Sequence, residues 1–240
     1  MPEHKLRCTS PVREPGGGGI NVTRAIVKLG GRATAYWGCG APTGLLLSDL
    51  LDAEGLDHHP VPVAEPTREN LIVYEEATGQ QYRFGMPGAP LSTSEVDRWV
   101  DAVSSIAPDY LVLSGSLPKD APVDLYARLA TAMPPETRVV VDTSGLALRK
   151  AIESKRVQII KPNLRELGLL AGHAVESDDA IASAGRSLLE AGVDAVLVSL
   201  GGAGAVLVDR DQVVAVRAPT VPIRSKVGAG DSTVAGLVLG

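Results

Sequence analysis

Residues 225–236 read Ser-Lys-Val-Gly-Ala-Gly-Asp-Ser-Thr-Val-Ala-Gly. Gly228 and Gly230 let the backbone turn so that the amide N–H groups of Gly228, Ala229 and Gly230 point into one concavity. Such a nest, opening an apolar helix, binds phosphate oxygens and stabilises negative charge that develops on them. Asp231 falls in the first turn of that helix. A carboxylate there repels a static phosphate. It suits a reaction in which it takes a proton from a hydroxyl attacking phosphorus. A plain Gly-rich turn with Asp231 as a helix-start residue fits the same spacing, and both readings stay open on Gly-Ala-Gly-Asp alone.

A second glycine run, Pro15-Gly-Gly-Gly-Gly-Ile-Asn-Val22, is not a dinucleotide fingerprint. Counted from Gly16 or Gly17, the sixth position is Asn21 or Val22, and Pro15 stands where a strand is needed. Gly202-x-Gly204 fails likewise at Leu207, and the chain has no Gly-Lys dipeptide, so a P-loop is excluded. The run allows either a flexible turn before a helix or close backbone approach to a flat, polar ligand such as a sugar. In the second case Asn21 can both donate to and accept from hydroxyls. Lys5 and Arg7 share one face of an extended segment, and Arg68 precedes a hairpin pattern. They are either solvated charges or cations converging on a phosphosugar. Lys161-Pro-Asn163-x-x-Glu166 has the spacing of a helix capping box.

These residues need a frame. From residue 107 onward, strand patterns at 110–114, 138–142, 157–160 and 195–199 alternate with helical patterns at 123–133, 145–152, 163–171 and 177–191. Repeated β–α units of this length predict a parallel sheet covered on both faces. Ligands of such sheets sit at the carboxyl ends of the strands. Ser114-Gly115-Ser116, Asp142, Lys161-Pro162-Asn163 and Ser199-Leu200-Gly201 all fall there, with Asp142 read as structural. The first ninety residues differ. A helix over 16–29 ends at Gly30-Gly31, followed by a strand at 33–40 and a helix at 44–53. Strand-like runs at 61–63, 71–75 and 81–84 follow, the last two joined by a turn at 77–80. This hairpin predicts a small antiparallel sheet over the main domain, a candidate lid.

Composition bounds the class. The chain has 240 residues, 45% apolar and 21% charged, which suits one globular domain. Aromatic residues are 3% of the chain, so the core must be Val, Leu, Ile and Ala. The net charge is −5, with no Lys/Arg cluster, which argues against a nucleic-acid partner. Cys8 and Cys39 lie far apart, with no zinc-type spacing, as expected of a reducing compartment. No signal peptide and no apolar run of ~18 residues is visible, so a cytoplasmic location and no membrane contact are expected. His58-His59 reads as a loop or edge pair.

Val227-Gly-Ala-Gly-Asp-Ser-Thr-Val-Ala-Gly236 resembles the C-terminal signature of the ribokinase-like (PfkB) sugar kinases. Pro15-Gly-Gly-Gly-Gly-Ile-Asn-Val22 resembles their N-terminal signature, in the all-glycine form of the minor bacterial 6-phosphofructokinases; the commoner form carries Lys at the third glycine. Lys5-Leu-Arg-Cys8 and Thr67-Arg-Glu-Asn70 resemble segments of that same type. The resemblance implies a single ribokinase-like domain over 1–240, an α/β/α three-layer sandwich with a mainly parallel sheet and a small antiparallel β lid near 1–14 and 60–88. It implies transfer of the ATP γ-phosphoryl group to the 1-hydroxyl of fructose 6-phosphate, with Asp231 as base. The amides of Gly228, Ala229 and Gly230 would hold the transferred group. Lys5, Arg7 and Arg68 would bind the substrate phosphate, and Gly16, Gly17, Gly18, Asn21 and Ser116 the sugar. Lys161, Ser199, Gly201, Gly204, Ser225, Val227 and Gly228 would line the nucleotide, and Asn163 and Glu166 would organise Mg²⁺ through water. K⁺ as a further cofactor and a homodimer through the lid are also implied. Family members carry an extra N-terminal strand and further C-terminal helices, so the domain is expected to be incomplete at both ends. Two alternatives stand beside this reading: a 1-phosphofructokinase or tagatose-6-phosphate kinase, and a non-catalytic binder of nucleotide or sugar phosphate.

Overall fold

The structure, a computed structural model, describes residues 7–40, 42–221 and 227–240. In chain order the first elements are α1 (Gly18–Lys28), β1 (Ala35–Cys39), α2 (Thr43–Ala53), β2 (His58–Pro62), β3 (Leu71–Glu75), β4 (Gln80–Phe84) and α3 (Thr93–Ser104). Next come β5 (Tyr110–Ser114), α4 (Leu125–Ala132), β6 (Arg138–Asp142), α5 (Gly145–Glu153), β7 (Ile159–Ile160) and α6 (Leu164–Ala171). The last are α7 (Asp178–Glu190), β8 (Ala195–Ser199), β9 (Ala205–Asp209), β10 (Val213–Val216) and α8 (Ala229–Leu239).

Period-two alternation builds the layers. Val139, Val140 and Val141 of β6 are each 0% exposed, as a strand buried on both faces requires. Val139 and Val141 join the larger core with α3, α4, α5 and α7. Val140 points the other way and packs under Val22 and Ile26 of α1 and Val234 and Ala235 of α8. The sheet order is β10-β9-β8-β7-β6-β5. β5 to β8 run parallel, so their carboxyl ends share one edge. β9 and β10 are antiparallel additions.

α1 and α8 lie side by side. Asn21 meets Asp231 near their starts, while Leu239 reaches Gly31 at their far ends. The two helices are therefore parallel, and both N-termini face one place. Their partial positive ends add there.

Several expectations change. The run 61–63 does not belong with the hairpin. Buried Val61 sits in β2, which pairs parallel with β1 apart from the six-stranded sheet. β3 and β4 do form the antiparallel hairpin, and β4 is exposed at every residue. The strand expected at 157–160 narrows to Ile159–Ile160, because the Gln158 side chain takes the Val139 amide at 2.7 Å. Among elements not anticipated, α3 begins with a capping box in which Ser92 and Glu95 exchange hydrogen bonds. Glu95 Oε1 also accepts from the Ala64 amide at 2.6 Å, tying α3 to the segment after β2. His58 and His59 lie on β2 and face opposite sides: His58 Nδ1 accepts from Trp37 Nε1, and His59 lies against Tyr36. No helix among the described residues is long and apolar enough to cross a membrane.

Candidate active site

Gly228 caps α8 with φ 76°, a left-handed conformation that favours glycine. The turn it makes delivers Ala229 and Gly230 into the first turn of the helix, with Asp231 next. The Asp231 carboxylate is half-buried. Asn21 Nδ2 donates to its Oδ2 at 2.9 Å. Burial raises the Asp231 pKa above the ordinary aspartate value. The Asn21 hydrogen bond, the Lys161 charge and the Ser114 hydrogen bond oppose this, favouring the ionised form. A half-buried carboxylate with donors favouring its ionised form suits a general base.

Lys161 follows β7 and is 6% exposed. Its Nζ lies 3.1 Å from Asp142 Oδ1, at the end of the neighbouring strand. The ammonium sits directly beneath the α8 turn: a Cβ on Gly230 would lie 3.2 Å from Nζ. Asp142, expected to be structural, is therefore part of this charged cluster. Its pKa is raised chiefly by burial, and by Asp231 and Glu166, with Lys161 pulling it down. The partner of Asp142 is set by the register of adjacent strands, a relation no local motif carries. Asp142, Asp231 and Glu166 against Lys161 leave net negative charge beside the anion nest. That donor set fits a divalent cation held with much of its water. Among the described residues no group of three or more His, Cys, Asp or Glu is disposed to grip a metal directly.

Asn163 and Glu166 form a capping box on α6. Asn163 Oδ1 accepts from the Glu166 amide, and Glu166 Oε2 from the Asn163 amide, both at 2.9 Å. One Glu166 oxygen is left for other partners. Ser199 closes β8, with its amide donating to Pro162 O at 2.9 Å. Gly201 opens a single 3₁₀ turn at φ 60°. Gly204 has a packing reason of its own: at φ 116°, a Cβ would lie 1.9 Å from Val216 O on β10. Val227 is exposed beside Gly228.

A cleft of about 1210 Å³ opens between β1 and β5. Gly16, Gly17, Gly18, Arg68, Ser114 and Ser116 line it. Gly17, at φ 117°, caps α1, and its carbonyl accepts from the Asn21 amide at 2.8 Å, which fixes the turn of helix carrying Asn21. Arg68 is held at the rim by Thr67. The Thr67 hydroxyl donates to Gly38 O at 2.8 Å and accepts from the Gly40 amide at 3.0 Å. Arg7 is exposed in an irregular segment and is not among the residues lining the cleft. Lys5 and Ser225 lie outside the described residues.

Comparison with known proteins places this geometry. Residues 1–240 match the family described as pfkB family carbohydrate kinase. The chain is 42% identical over 241 residues to the ATP-dependent 6-phosphofructokinase isozyme 2 of Escherichia coli, covering 99% of this chain and 78% of that protein. It is 34% identical over 237 residues to the 1-phosphofructokinase of Xanthomonas campestris, covering 96% of this chain and 74% of that one. The crystal structure of E. coli phosphofructokinase-2 in complex with fructose-6-phosphate superposes with a TM-score of 0.93 at 42% identity, over 100% of this chain and 79% of that one. Structures of the same enzyme in complex with potassium and in a tetrameric inhibited form each give a TM-score of 0.94 over 100% of this chain, and over 78% and 80% of those chains. Full-length agreement in sequence and in fold establishes that this chain is a member of the pfkB family of carbohydrate kinases, with a ribokinase-like fold.

Proposed function

We propose that the chain transfers the γ-phosphoryl group of ATP to the 1-hydroxyl of D-fructose 6-phosphate, giving ADP and D-fructose 1,6-bisphosphate. One observation carries the reading: Asn21, on the helix whose glycine-rich start lines the cleft, donates to Asp231, which directly follows the Gly228–Gly230 turn. The sugar enters the cleft against Gly16, Gly17, Gly18 and Ser116, with Arg68 on its phosphate. Asp231 removes the proton from the 1-hydroxyl as that oxygen attacks phosphorus. The amides of Gly228, Ala229 and Gly230, at the positive end of α8, hold the equatorial oxygens of the moving phosphoryl group. Lys161, oriented by Asp142, neutralises charge on the same oxygens. Catalysis is positioning plus electrostatics, as phosphoryl transfer requires.

Ser199, Gly201, Gly204, Ser225 and Val227 border the nucleotide on this reading, and Lys5 and Arg7 join Arg68 on the substrate phosphate. Mg²⁺, held through water by Glu166 and Asn163, supplies charge neutralisation on the polyphosphate when bound. K⁺ is a further cofactor on this reading, supported by the potassium complex of the E. coli enzyme. The hairpin favours self-association. Leu71, Val73, Tyr82 and Phe84 share one face by register, and all but Val73 are largely exposed. A homodimer through this face covers them, and a tetramer would be an extension of it. Dependence on ATP and a phosphorylated sugar supports a cytoplasmic setting.

A coupled ADP-release assay with fructose 6-phosphate, fructose 1-phosphate and tagatose 6-phosphate tests the reading. The highest kcat/KM is expected for fructose 6-phosphate. Preference for fructose 1-phosphate would reassign the chain to the activity named for its X. campestris relative. Thermal stabilisation by fructose 6-phosphate without ADP release would leave a non-catalytic binder.

A further inference from the structure

The chain leaves β5 for the cleft through Gly115, and this turn is held from behind. Gly115 sits at φ 104°, a conformation that favours glycine. Its amide donates to Asp142 O at 3.0 Å, at the end of the neighbouring strand. Its carbonyl accepts twice, from Tyr126 Oη on α4 and from Thr143 Oγ1 just after β6, both at 2.9 Å. Tyr126 Oη also reaches Ser114 O at 3.3 Å. Tyr126 and Thr143 are both buried. Turning the Gly115 carbonyl elsewhere would strand the Thr143 hydroxyl and weaken the hold of Tyr126. In front, Gly18 at the start of α1 comes so close that a Cβ on it would lie 2.9 Å from the Gly115 amide nitrogen.

A trans peptide points its C=O and its N–H in opposite directions. Holding the Gly115 carbonyl inward therefore turns the amide of the next residue, Ser116, away from Tyr126 and Thr143. Ser116 is exposed and lines the cleft. We infer that Tyr126 is a positioning residue for the sugar phosphate: with Thr143 it locks the Gly115–Ser116 peptide so that the Ser116 amide is presented as a hydrogen-bond donor to a substrate oxygen in the cleft. This rests on the reading of the cleft as the sugar's place. A peptide next to glycine otherwise rotates easily as a unit, because glycine accepts the changed dihedral angles at little steric cost. Two buried hydroxyls remove that freedom before the substrate arrives, so less ordering is left to be done on binding.

The test is calorimetric affinity for fructose 6-phosphate, and separately for ATP, in Tyr126→Phe, Thr143→Val and the double variant. Each single variant removes one hold on the carbonyl, so fructose 6-phosphate affinity is expected to fall about 3–10-fold, with ATP affinity within about 2-fold of the unmodified chain. The double variant frees the peptide and is expected to lose about 10-fold or more for fructose 6-phosphate. Thr143→Ser keeps the hydroxyl and is expected to retain the affinity. Equal weakening of both ligands overturns the inference, because it marks a general loss of structure. So does a folded Tyr126→Phe with unchanged fructose 6-phosphate affinity. If Thr143→Val or the double variant does not fold, Tyr126→Phe, which keeps the ring in the core, decides alone. The unmodified chain separates the two levels. If it binds fructose 6-phosphate and the variants bind it equally well, only the Tyr126 role fails; if it binds none, the reading of the cleft fails and this inference with it.

Discussion

Removing the Asp142 carboxylate should unfold this protein at markedly lower temperature. Lys161 is 6% exposed and its Nζ lies 3.1 Å from Asp142 Oδ1. At an effective dielectric constant near 20, the attraction at that separation is about 5 kcal/mol before the cost of burial. Truncating one member of such a pair strands the other charge and typically costs about 3–5 kcal/mol. Asp231 still acts on Lys161, so Asp142→Ala belongs at the lower end, about 3 kcal/mol. For a chain of 240 residues, that is a fall in Tm of about 6–12 °C. Lys161→Met should cost less, because the Asp142 carboxyl, already raised in pKa by burial, can take up a proton. The double variant should lose less than the sum of the singles. Circular-dichroism melts of all three at pH 7.5 measure this. A Tm for Asp142→Ala within about 2 °C of the unmodified chain, with additive behaviour, would refute the buried pair.

Other consequences follow from single contacts. Glu95→Gln should destabilise the α3 start, since Glu95 serves the Ser92 cap and the Ala64 amide. Its pKa is lowered, first by the Ser92 side-chain hydrogen bond. The stabilisation is therefore present above the ordinary glutamate value of about 4.3 and lost as pH falls through the lower folded value; melts of the two proteins should converge in acid. Gly204→Ala places a Cβ 1.9 Å from Val216 O at φ 116° and should cost about 3 kcal/mol or more, while Gly202→Ala, with nothing within 4 Å, should melt near the unmodified chain. Arg68→Ala should raise KM for fructose 6-phosphate by about 10-fold or more and leave KM for ATP nearly unchanged; equal loss for both would mark a folding defect.

The parts legible in the sequence were those written in local pattern. Strand runs such as 138–142 and the glycine turns before α1 and α8 carry their own signals, and β–α alternation places their ends on one sheet edge. What escaped was set by pairing across distance. Asn21 and Asp231 meet although 210 positions apart, because parallel α1 and α8 pack on Val140. The β9–β10 hairpin was hidden because the glycines of 201–204 read as a ligand loop, whereas Gly204 is also required by close approach to β10. Ser92 and Glu95 did carry a local capping-box signal for α3. The place of β2 beside β1 was decided by burial of Val61, which its short mixed run does not announce.

The claim on which the mechanism turns is that Asp231 moves a proton. Steady-state turnover of Asp231→Asn with ATP and fructose 6-phosphate, alongside nucleotide affinity measured by calorimetry, addresses it directly. The account predicts that kcat falls by ~10²-fold or more while nucleotide affinity persists. Turnover close to that of the unmodified chain would contradict it.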